Sequence, residues 1–244
     1  MRATVDRTEL SSDLIVSTLL AFAAGFVDTC GFIMLFGLFT AHVTGNFVLI
    51  GATLAAPHPG LLARFLAFPT FILVVAATQY FLHRCKHSGR DPTLPALVAE
   101  ATSLALFFGV GVWGSPVEDA DSAITVAIGM LGVAAIAVQN AVSHSVFTAH
   151  APTTAMTGNV TRAVMDAVEV VLGPDAAPAK ARLRKILPPV FSFALGAIVG
   201  GVGSVHVGFW CLIAPLLAIL CVAGFHRSQR SRKDCVVSSV PAQF

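Results

Sequence analysis

The stretch LIVSTLLAFAAGFVDTCGFIMLF, residues 14–36, decides the structural class of this protein. Its one charged side chain is Asp28, and a helix of about 20 mostly apolar residues is long enough to cross a bilayer. Over the whole chain 56% of the residues are hydrophobic and 11% are charged, whereas a soluble domain carries about a quarter charged residues. The composition therefore predicts an integral membrane protein, and a net charge of only +2 argues against a nucleic-acid partner.

Other segments of the chain are also long and apolar enough to cross. These are residues 65–82, 94–113, 123–142, 187–205 and 207–225. We therefore predict an all-α, polytopic membrane protein with six spanning helices.

Two shorter apolar pieces lie between the predicted spans. Residues 46–56 are too few to cross at about 1.5 Å per residue. Residues 159–172 contain Arg162, Asp166 and Glu169, which would make a lipid-facing crossing costly. We expect both pieces to be re-entrant or interfacial helices.

The loops between the spans differ in their basic residues, and cytoplasmic loops of membrane proteins are enriched in lysine and arginine. Residues 83–90, 180–185 and 226–233 are basic, whereas 116–121 contain no basic residue. This pattern predicts a cell-membrane protein, as in a bacterial inner membrane, with both termini in the cytoplasm. The predicted chain consists of a cytoplasmic tail at 1–13, a first repeat at 14–113, an external loop at 114–122, a second repeat at 123–225 and a basic cytoplasmic tail at 226–244.

The two halves share short motifs in the same order. Thr-Gly-Asn occurs at 44–46 and 157–159, Phe-Thr-Ala-His at 39–42 and 147–150, and RFLAFPTF at 64–71 resembles RKILPPVF at 184–191. With three crossings per half, a duplication gives an inverted 3+3 repeat. Transporters with this design bind their substrates near the midplane, where discontinuous helices meet.

The Thr-Gly-Asn residues suit the start of a broken helix. Glycine allows a positive φ or a close backbone approach, threonine and asparagine can cap a helix, and a helix N-terminus attracts anions and polar groups. The candidate substrate or pathway residues here are Thr44, Gly45, Asn46, Thr157, Gly158 and Asn159. The alternative is that each motif is a loop and cap at the membrane surface.

Several polar side chains lie within or beside the predicted spans. Asp28 is costly in a membrane unless it is paired or hydrated, so it is either a coupling or substrate contact or a structural aspartate bonded to backbone. Asn140, which aligns with Asp28, is a pathway candidate or an interhelical hydrogen bond. Glu100 is a candidate for coupling or gating.

Arg162 and Asp166 can pair on one helix face, in a gating role or as a surface ion pair. We expect the histidines near the repeated motifs, His42, His144 and His150, to be solvated. Arg64 is expected to anchor a helix end to lipid headgroups.

The motifs GFVDTCGF, FTAHVTGNFVLIG, QNAVSH and TTAMTGNVTRAV resemble those of the YoaK-type membrane proteins, and the resemblance spans roughly residues 14–225. It implies a polytopic helical membrane protein, commonly six-spanning, and supplies no substrate. The second half has Gln139-Asn140 where the first has Val27-Asp28, so an aspartate-specific role would belong to the first half only.

Three functions remain in competition. We favour a secondary transporter or channel for a small polar solute over a membrane scaffold without a solute path, and a membrane enzyme is the least favoured. The sequence predicts no catalytic residue, metal site or cofactor, and its scattered cysteines are read as small hydrophobic residues. The expected partners are the lipid bilayer and a small polar solute, with a homo-oligomer as an open alternative.

Overall fold

The computed structural model describes residues 7–147, 152–174 and 176–238, and within these ranges the chain is helical and contains no strand. The elements are α1 (Arg7–Met34), α2 (Gly45–Ala55), α3 (Leu61–His87), α4 (Thr93–Trp113), α5 (Ala123–Ser145), α6 (Met156–Leu172), α7 (Ala176–Val207), a 3-10 turn (Gly208–Leu212) and α8 (Ile213–Ser238).

Five stretches of the described chain are long and apolar enough to span a bilayer, which confirms the all-helical membrane architecture at that level. They are Leu14–Met34, Leu61–His87, Thr93–Trp113, Ala123–Ser145 and Ala176–Gln229. The last has 54 residues and includes α7, the 3-10 turn and most of α8. Gly208 begins the turn with a φ of +58°, a value that glycine adopts at little cost.

Helix α1 lies at the centre of the bundle and packs along α7. Of its apolar span 67% is buried, compared with 22% for α3, which therefore lies at the periphery. The two helices run parallel, because Ser192 donates a hydrogen bond to the Thr18 carbonyl at 2.8 Å and Gly200 packs against Phe26 further along both helices.

The glycines of α7 allow this close packing. A Cβ at Gly200 would lie 2.6 Å from the Phe26 carbonyl oxygen, and one at Gly196 would clash with the Phe22 carbonyl. The sequence GAIVG therefore works as a small-residue helix-packing motif.

Helix α8 runs antiparallel to α4. Phe209, just before α8, packs on Phe107 near the end of α4, with ring centroids 5.7 Å apart. His226 in α8 bonds to Asp91, just before α4, at 2.8 Å. The chain thus reverses direction at the 3-10 turn.

Helix α5 runs antiparallel to α4 and parallel to α3. Phe107 lies against Gly132, Thr70 bonds to Met130, and Gln79 bonds to Ser145. Gln139 reaches the Leu20 carbonyl, while Gly129 meets Leu35 and Leu38, so α5 is also antiparallel to α1. Helices α1, α4 and α7 therefore point one way, and α3, α5 and α8 point the other way.

Candidate functional site

The chain between α1 and α2 folds back into the bundle. It turns at Phe36 and Gly37, which have φ values of 52° and 82°, and then returns alongside α1. The Thr40 N–H donates to Asp28 Oδ1 at 2.8 Å. Asp28 lies six residues before the end of α1, which is about 9 Å along the helix.

Helix α2 runs back to the end of the bundle at which α1 ends and the loop begins. Phe47 near its start stacks on Phe68, with centroids 4.7 Å apart, and Thr53 near its end accepts a 2.8 Å bond from Arg64 Nη1. Arg64 Nη2 also donates to the Phe36 carbonyl at 2.6 Å. The loop and α2 together thus form a re-entrant hairpin, and Arg64, which is 5% exposed, holds its base. The expectation that Arg64 contacts headgroups was wrong.

Asp28 holds the deepest part of the loop. Its Oδ1 accepts from the N–H groups of Thr40 at 2.8 Å and Ala41 at 2.7 Å, and its Oδ2 lies 2.6 Å from His42 Nδ1. The carboxyl therefore satisfies backbone donors that are outside any helix, as the membrane interior requires. The prediction that His42 is merely solvated was wrong.

Asn46 fastens the same loop from the other side. Its Nδ2 donates to the Phe39 carbonyl at 2.9 Å, and its Oδ1 accepts from the Phe39 N–H at 3.0 Å. The predicted cap is absent at the start of α2, where Thr44 makes no side-chain cap bond. Asn46, 1% exposed, instead binds the residue seven positions earlier.

The second Thr-Gly-Asn element makes an equivalent contact. Asn159 Nδ2 donates to the Pro152 carbonyl at 2.7 Å, again seven residues earlier. Gln139 Nε2 donates to Thr153 at 2.9 Å, and Asn140 Nδ2 donates to Thr154 at 2.6 Å. Because Gln139 lies six residues before the end of α5, this loop also lies about 9 Å inside the bundle.

These bonds change the alignment of the two halves. Since Asn159–Pro152 matches Asn46–Phe39, the counterparts of residues 39–42 are 152–155 rather than the Phe-Thr-Ala-His at 147–150. Most of that second copy, including His150, lies outside the described residues. Between Phe-Thr-Ala-His and Thr-Gly-Asn the second half has six residues, 151–156, where the first half has only Val43. The corrected alignment places these five extra residues before residue 152.

The other residues of the two motifs behave differently from the asparagines. Neither Gly45 nor Gly158 has a positive φ. A Cβ at Gly45 would lie 3.0 Å from the Phe39 ring, whereas one at Gly158 would meet nothing within 4 Å. Thr44 and Thr157 are exposed, and α6 has no side-chain cap. The predicted capping was wrong at both helices, and close approach holds at Gly45 alone.

The candidate residues fall into two groups at different depths. Asp28 and Asn46 hold the first loop, and Asn140 and Asn159 hold the second. Gln139, beside Asn140, also donates to the Leu20 carbonyl at 2.8 Å. Leu20 precedes Asp28 by eight residues, so the two groups of residues are separated by about 12 Å along α1. The first group lies beside the second half of α1, and the second group lies beside its first half. The structure does not bring Asn46 and Asn159 together.

The predicted Arg162–Asp166 pair is replaced by a contact between helices. Asp166 lies 2.6 Å from Arg182 Nη2 in α7, and the same nitrogen lies 3.2 Å from Glu169. Arg162 is exposed. The acidic stripe on α6 followed by the basic run at 180–185 was the sequence signal for this contact.

Glu100 is the remaining candidate. It lies in the middle of α4, it is fully buried, and neither of its carboxyl oxygens has a hydrogen-bond partner within the described part of the chain. His144, in contrast, is exposed at the end of α5.

Comparison with known proteins gives one match. A family model described as "Protein of unknown function (DUF1275)" matches residues 16–225, and this is consistent with the resemblance to YoaK-type membrane proteins. No curated protein and no solved structure matches the chain.

Proposed function

Because the chain belongs to the DUF1275 family, whose description names no activity, we propose from its geometry that this membrane protein is a transporter or channel for a small polar solute. In this proposal α7 and α8 each cross the bilayer, which gives six spans. Two halves of three spans then enter from opposite sides, with one re-entrant hairpin in each.

One observation carries the proposal. Each half contains a loop that is held inside the bundle by an asparagine, whose side chain bonds to the backbone of the residue seven positions earlier. The Asn46–Phe39 and Asn159–Pro152 bonds are alike, and the loops sit in opposite halves of α1. Irregular backbone at membrane depth is tolerated where it is buried in protein or lines a water-filled cavity. Inverted-repeat transporters place such broken helices at their substrate sites.

The proposal assigns different roles to the inward and outward residues of each motif. Asn46 and Asn159 hold the hairpins in place. The exposed Thr44 and Thr157, at the positive ends of the half-helices α2 and α6, would meet the solute, since a helix N-terminus attracts anions and polar groups.

Membrane orientation is tested by accessibility of introduced cysteines in a variant without native cysteines. In the proposed topology, Arg90→Cys and Lys185→Cys react with an impermeant maleimide only from the cytoplasmic side, and Glu118→Cys reacts only from outside. Labelling of the first two from opposite sides would mean that a hairpin passes through the bilayer.

Function is tested by a thermal-shift screen of the purified protein against a metabolite set, followed by uptake of the stabilising compounds into proteoliposomes. We expect Asn46→Ala and Asn159→Ala to lose uptake. The control variant Gln79→Ala removes an exposed amide that bonds to Ser145 outside both loops and should keep uptake. Membrane abundance of each variant separates loss of folding from loss of transport.

A membrane scaffold is the second candidate, and two observations favour it. The first is that Asn46 and Asn159 lie at different depths and do not meet at one site. The second is that the buried amide of Asn46 is occupied on both sides by the backbone of Phe39, so it has no free group for a solute. If no compound stabilises the protein and both asparagine variants fail to accumulate, the asparagines are structural and the scaffold is preferred.

A further inference from the structure

Glu100 is a buried acid that has no charged partner at its own depth among the described side chains. Helix α4 packs against α5, α8 and the 3-10 turn. The titratable or charged groups on the described side chains of these elements are His144, Cys211, Cys221, His226 and Arg227. His144 is exposed near the end of α5, and His226 bonds to Asp91 before the start of α4.

The helix register excludes these groups from the surroundings of Glu100. The Phe209–Phe107 and His226–Asp91 contacts place residues 216–217 of α8 level with Glu100. Cys221 lies about four residues along α8 from that level and is exposed, and Cys211 lies about five residues away on the other side. His226 and the adjacent Arg227 are about nine or more residues away, which is about 14 Å.

The register of α4 and α5 places Gln139 at the level of Glu100. Phe107 packs against Gly132. Glu100 lies seven residues before Phe107, and Gln139 lies seven residues after Gly132, which brings the two residues to the same level because the helices are antiparallel. Gln139 is fully buried. Its Nε2 donates to Leu20 and Thr153, whereas its Oε1 has no partner within the described residues.

Three buried oxygens on two neighbouring helices thus lack a donor. An ionised carboxylate without a counter-ion is far more costly to bury than a neutral carboxyl group. A single proton on Glu100 supplies an O–H donor, and a bond to Gln139 Oε1 would satisfy one oxygen of each residue. A hard metal cation would need about six oxygen ligands, more than these two side chains hold.

We propose that Glu100 is a proton-binding site, that its O–H donates to Gln139 Oε1, and that the proton is the coupling ion of the transporter. The coupling rests on the proposed function, whereas the protonated state of Glu100 does not.

Gln139 connects this proton to the second re-entrant loop. When Glu100 releases its proton to water, the carboxylate becomes an acceptor only, and Gln139 must turn its Nε2 toward it. The Nε2 bonds to Leu20 and Thr153 are then lost. The loop that contains Thr153 then loses its bond to Gln139 but keeps the Asn140–Thr154 bond to α5. In addition, α5 loses its bond to the Leu20 carbonyl of α1.

A cleft of about 340 Å³ lies between α3 and α4 and reaches α5, close to the proposed site. Its lining includes Ala99 and Val138, the residues directly before Glu100 and Gln139. Glu100 and Gln139 do not line the cleft themselves, so proton release requires a local opening between α4 and α5.

Infrared spectroscopy of the protein in lipid bilayers at neutral pH tests the proton site. The carbonyl-stretch band of a protonated carboxylic acid is expected in the wild type and is lost in Glu100→Gln. This variant keeps the fold, because its amide can donate to Gln139 in place of the hydroxyl. Gln139→Leu keeps Glu100 and moves the band to higher frequency, since the hydroxyl loses its acceptor. No difference between wild type and Glu100→Gln would overturn the proposal.

Proton flux tests the coupling separately. Proteoliposomes with an internal pH-sensitive dye report the proton movement that accompanies uptake of a stabilising compound from the metabolite screen. Wild type is expected to change the interior pH only when that compound is added, and Glu100→Gln falls to the level of protein-free liposomes. Equal flux in both, together with a carboxylic-acid band in the wild type, would refute the coupling and leave the proton site. Failure of the metabolite screen alone would count against the solute and not against the site.

Discussion

Removing the Asp28 carboxyl should release the first re-entrant loop. In Asp28→Ala the N–H groups of Thr40 and Ala41 lose an acceptor at 2.8 and 2.7 Å. Each buried donor left unsatisfied costs about 1–3 kcal/mol. The free energy of unfolding should therefore fall by about 2–6 kcal/mol from these two groups, before the lost contact with His42 is counted.

Asp28→Asn separates the charge from the hydrogen bonds. The asparagine keeps one oxygen for the two N–H groups, but the bonds are no longer charge-assisted. The difference between charged and neutral acceptors is about 1 kcal/mol per bond, so we expect a loss of about 2 kcal/mol. The order of stability is therefore wild type, then Asp28→Asn, then Asp28→Ala.

Equilibrium unfolding in mixed detergent micelles measures these differences, and amide hydrogen exchange locates them. Exchange should accelerate in residues 39–42 of Asp28→Ala and remain unchanged in residues 152–159. Glu118→Gln, an exposed acid in the loop between α4 and α5, is the matched control and should stay within about 0.5 kcal/mol of wild type. If Asp28→Ala is as stable as this control, Asp28 does not hold the loop.

Two further substitutions test how α7 is held. Gly200→Ala places a methyl group 2.6 Å from the Phe26 carbonyl and should destabilise the protein by about 1–3 kcal/mol. The control Gly224→Ala, whose methyl group meets nothing within 4 Å, should leave the unfolding midpoint unchanged. Equal effects of the two substitutions would contradict close packing of α1 on α7. Asp166→Asn should lower stability only slightly, because the ion pair with Arg182 is exposed on the Arg182 side and is screened by solvent. The loss should shrink in high salt. A loss that is independent of salt would mean that the ion pair is not its cause.

The helices could be predicted from the sequence because bilayer thickness imposes a length on each apolar run. The predicted segments 94–113 and 123–142 differ from α4 and α5 by no more than three residues at any end. The predicted segments 187–205 and 207–225 are separated by one residue, and this separation is close to the 3-10 turn that begins at Gly208. Other boundaries were less well predicted: α7 begins at Ala176 and not at residue 187, and α8 ends at Ser238 and not at residue 225. These helices continue past the apolar runs into polar sequence, where composition gives no boundary.

The contacts within the loops could not be predicted in the same way. Asp28 binds backbone N–H groups, and every non-proline residue carries such a group, so no residue type marks the partner. Asp166 has a possible partner four residues away in Arg162, yet it faces α7 and binds Arg182. The rule that oppositely charged side chains four residues apart on one helix can pair does not take into account which face of that helix packs against a neighbouring helix.

The Thr-Gly-Asn repeat indicated that Asn46 and Asn159 are special, but the capping role predicted for the motif was wrong. A cap requires only an acceptor, whereas the asparagine side chain can both accept and donate. Asn46 uses both functions on Phe39, which closes a loop that has no helical hydrogen bonds of its own. The need to satisfy backbone groups inside a membrane, rather than helix initiation, explains why asparagine stands at this position in both halves.

The two loops satisfy their polar groups by different chemistry. The first loop uses the carboxyl of Asp28 on α1, which accepts its backbone N–H groups and contacts His42. The second loop uses the neutral amides of Gln139 and Asn140 on threonine hydroxyls. The buried acid Glu100, on α4, lies level with Gln139. A change in protonation would therefore act directly on the first loop and only through Gln139 on the second, so two hairpins of similar shape would respond differently to the same proton.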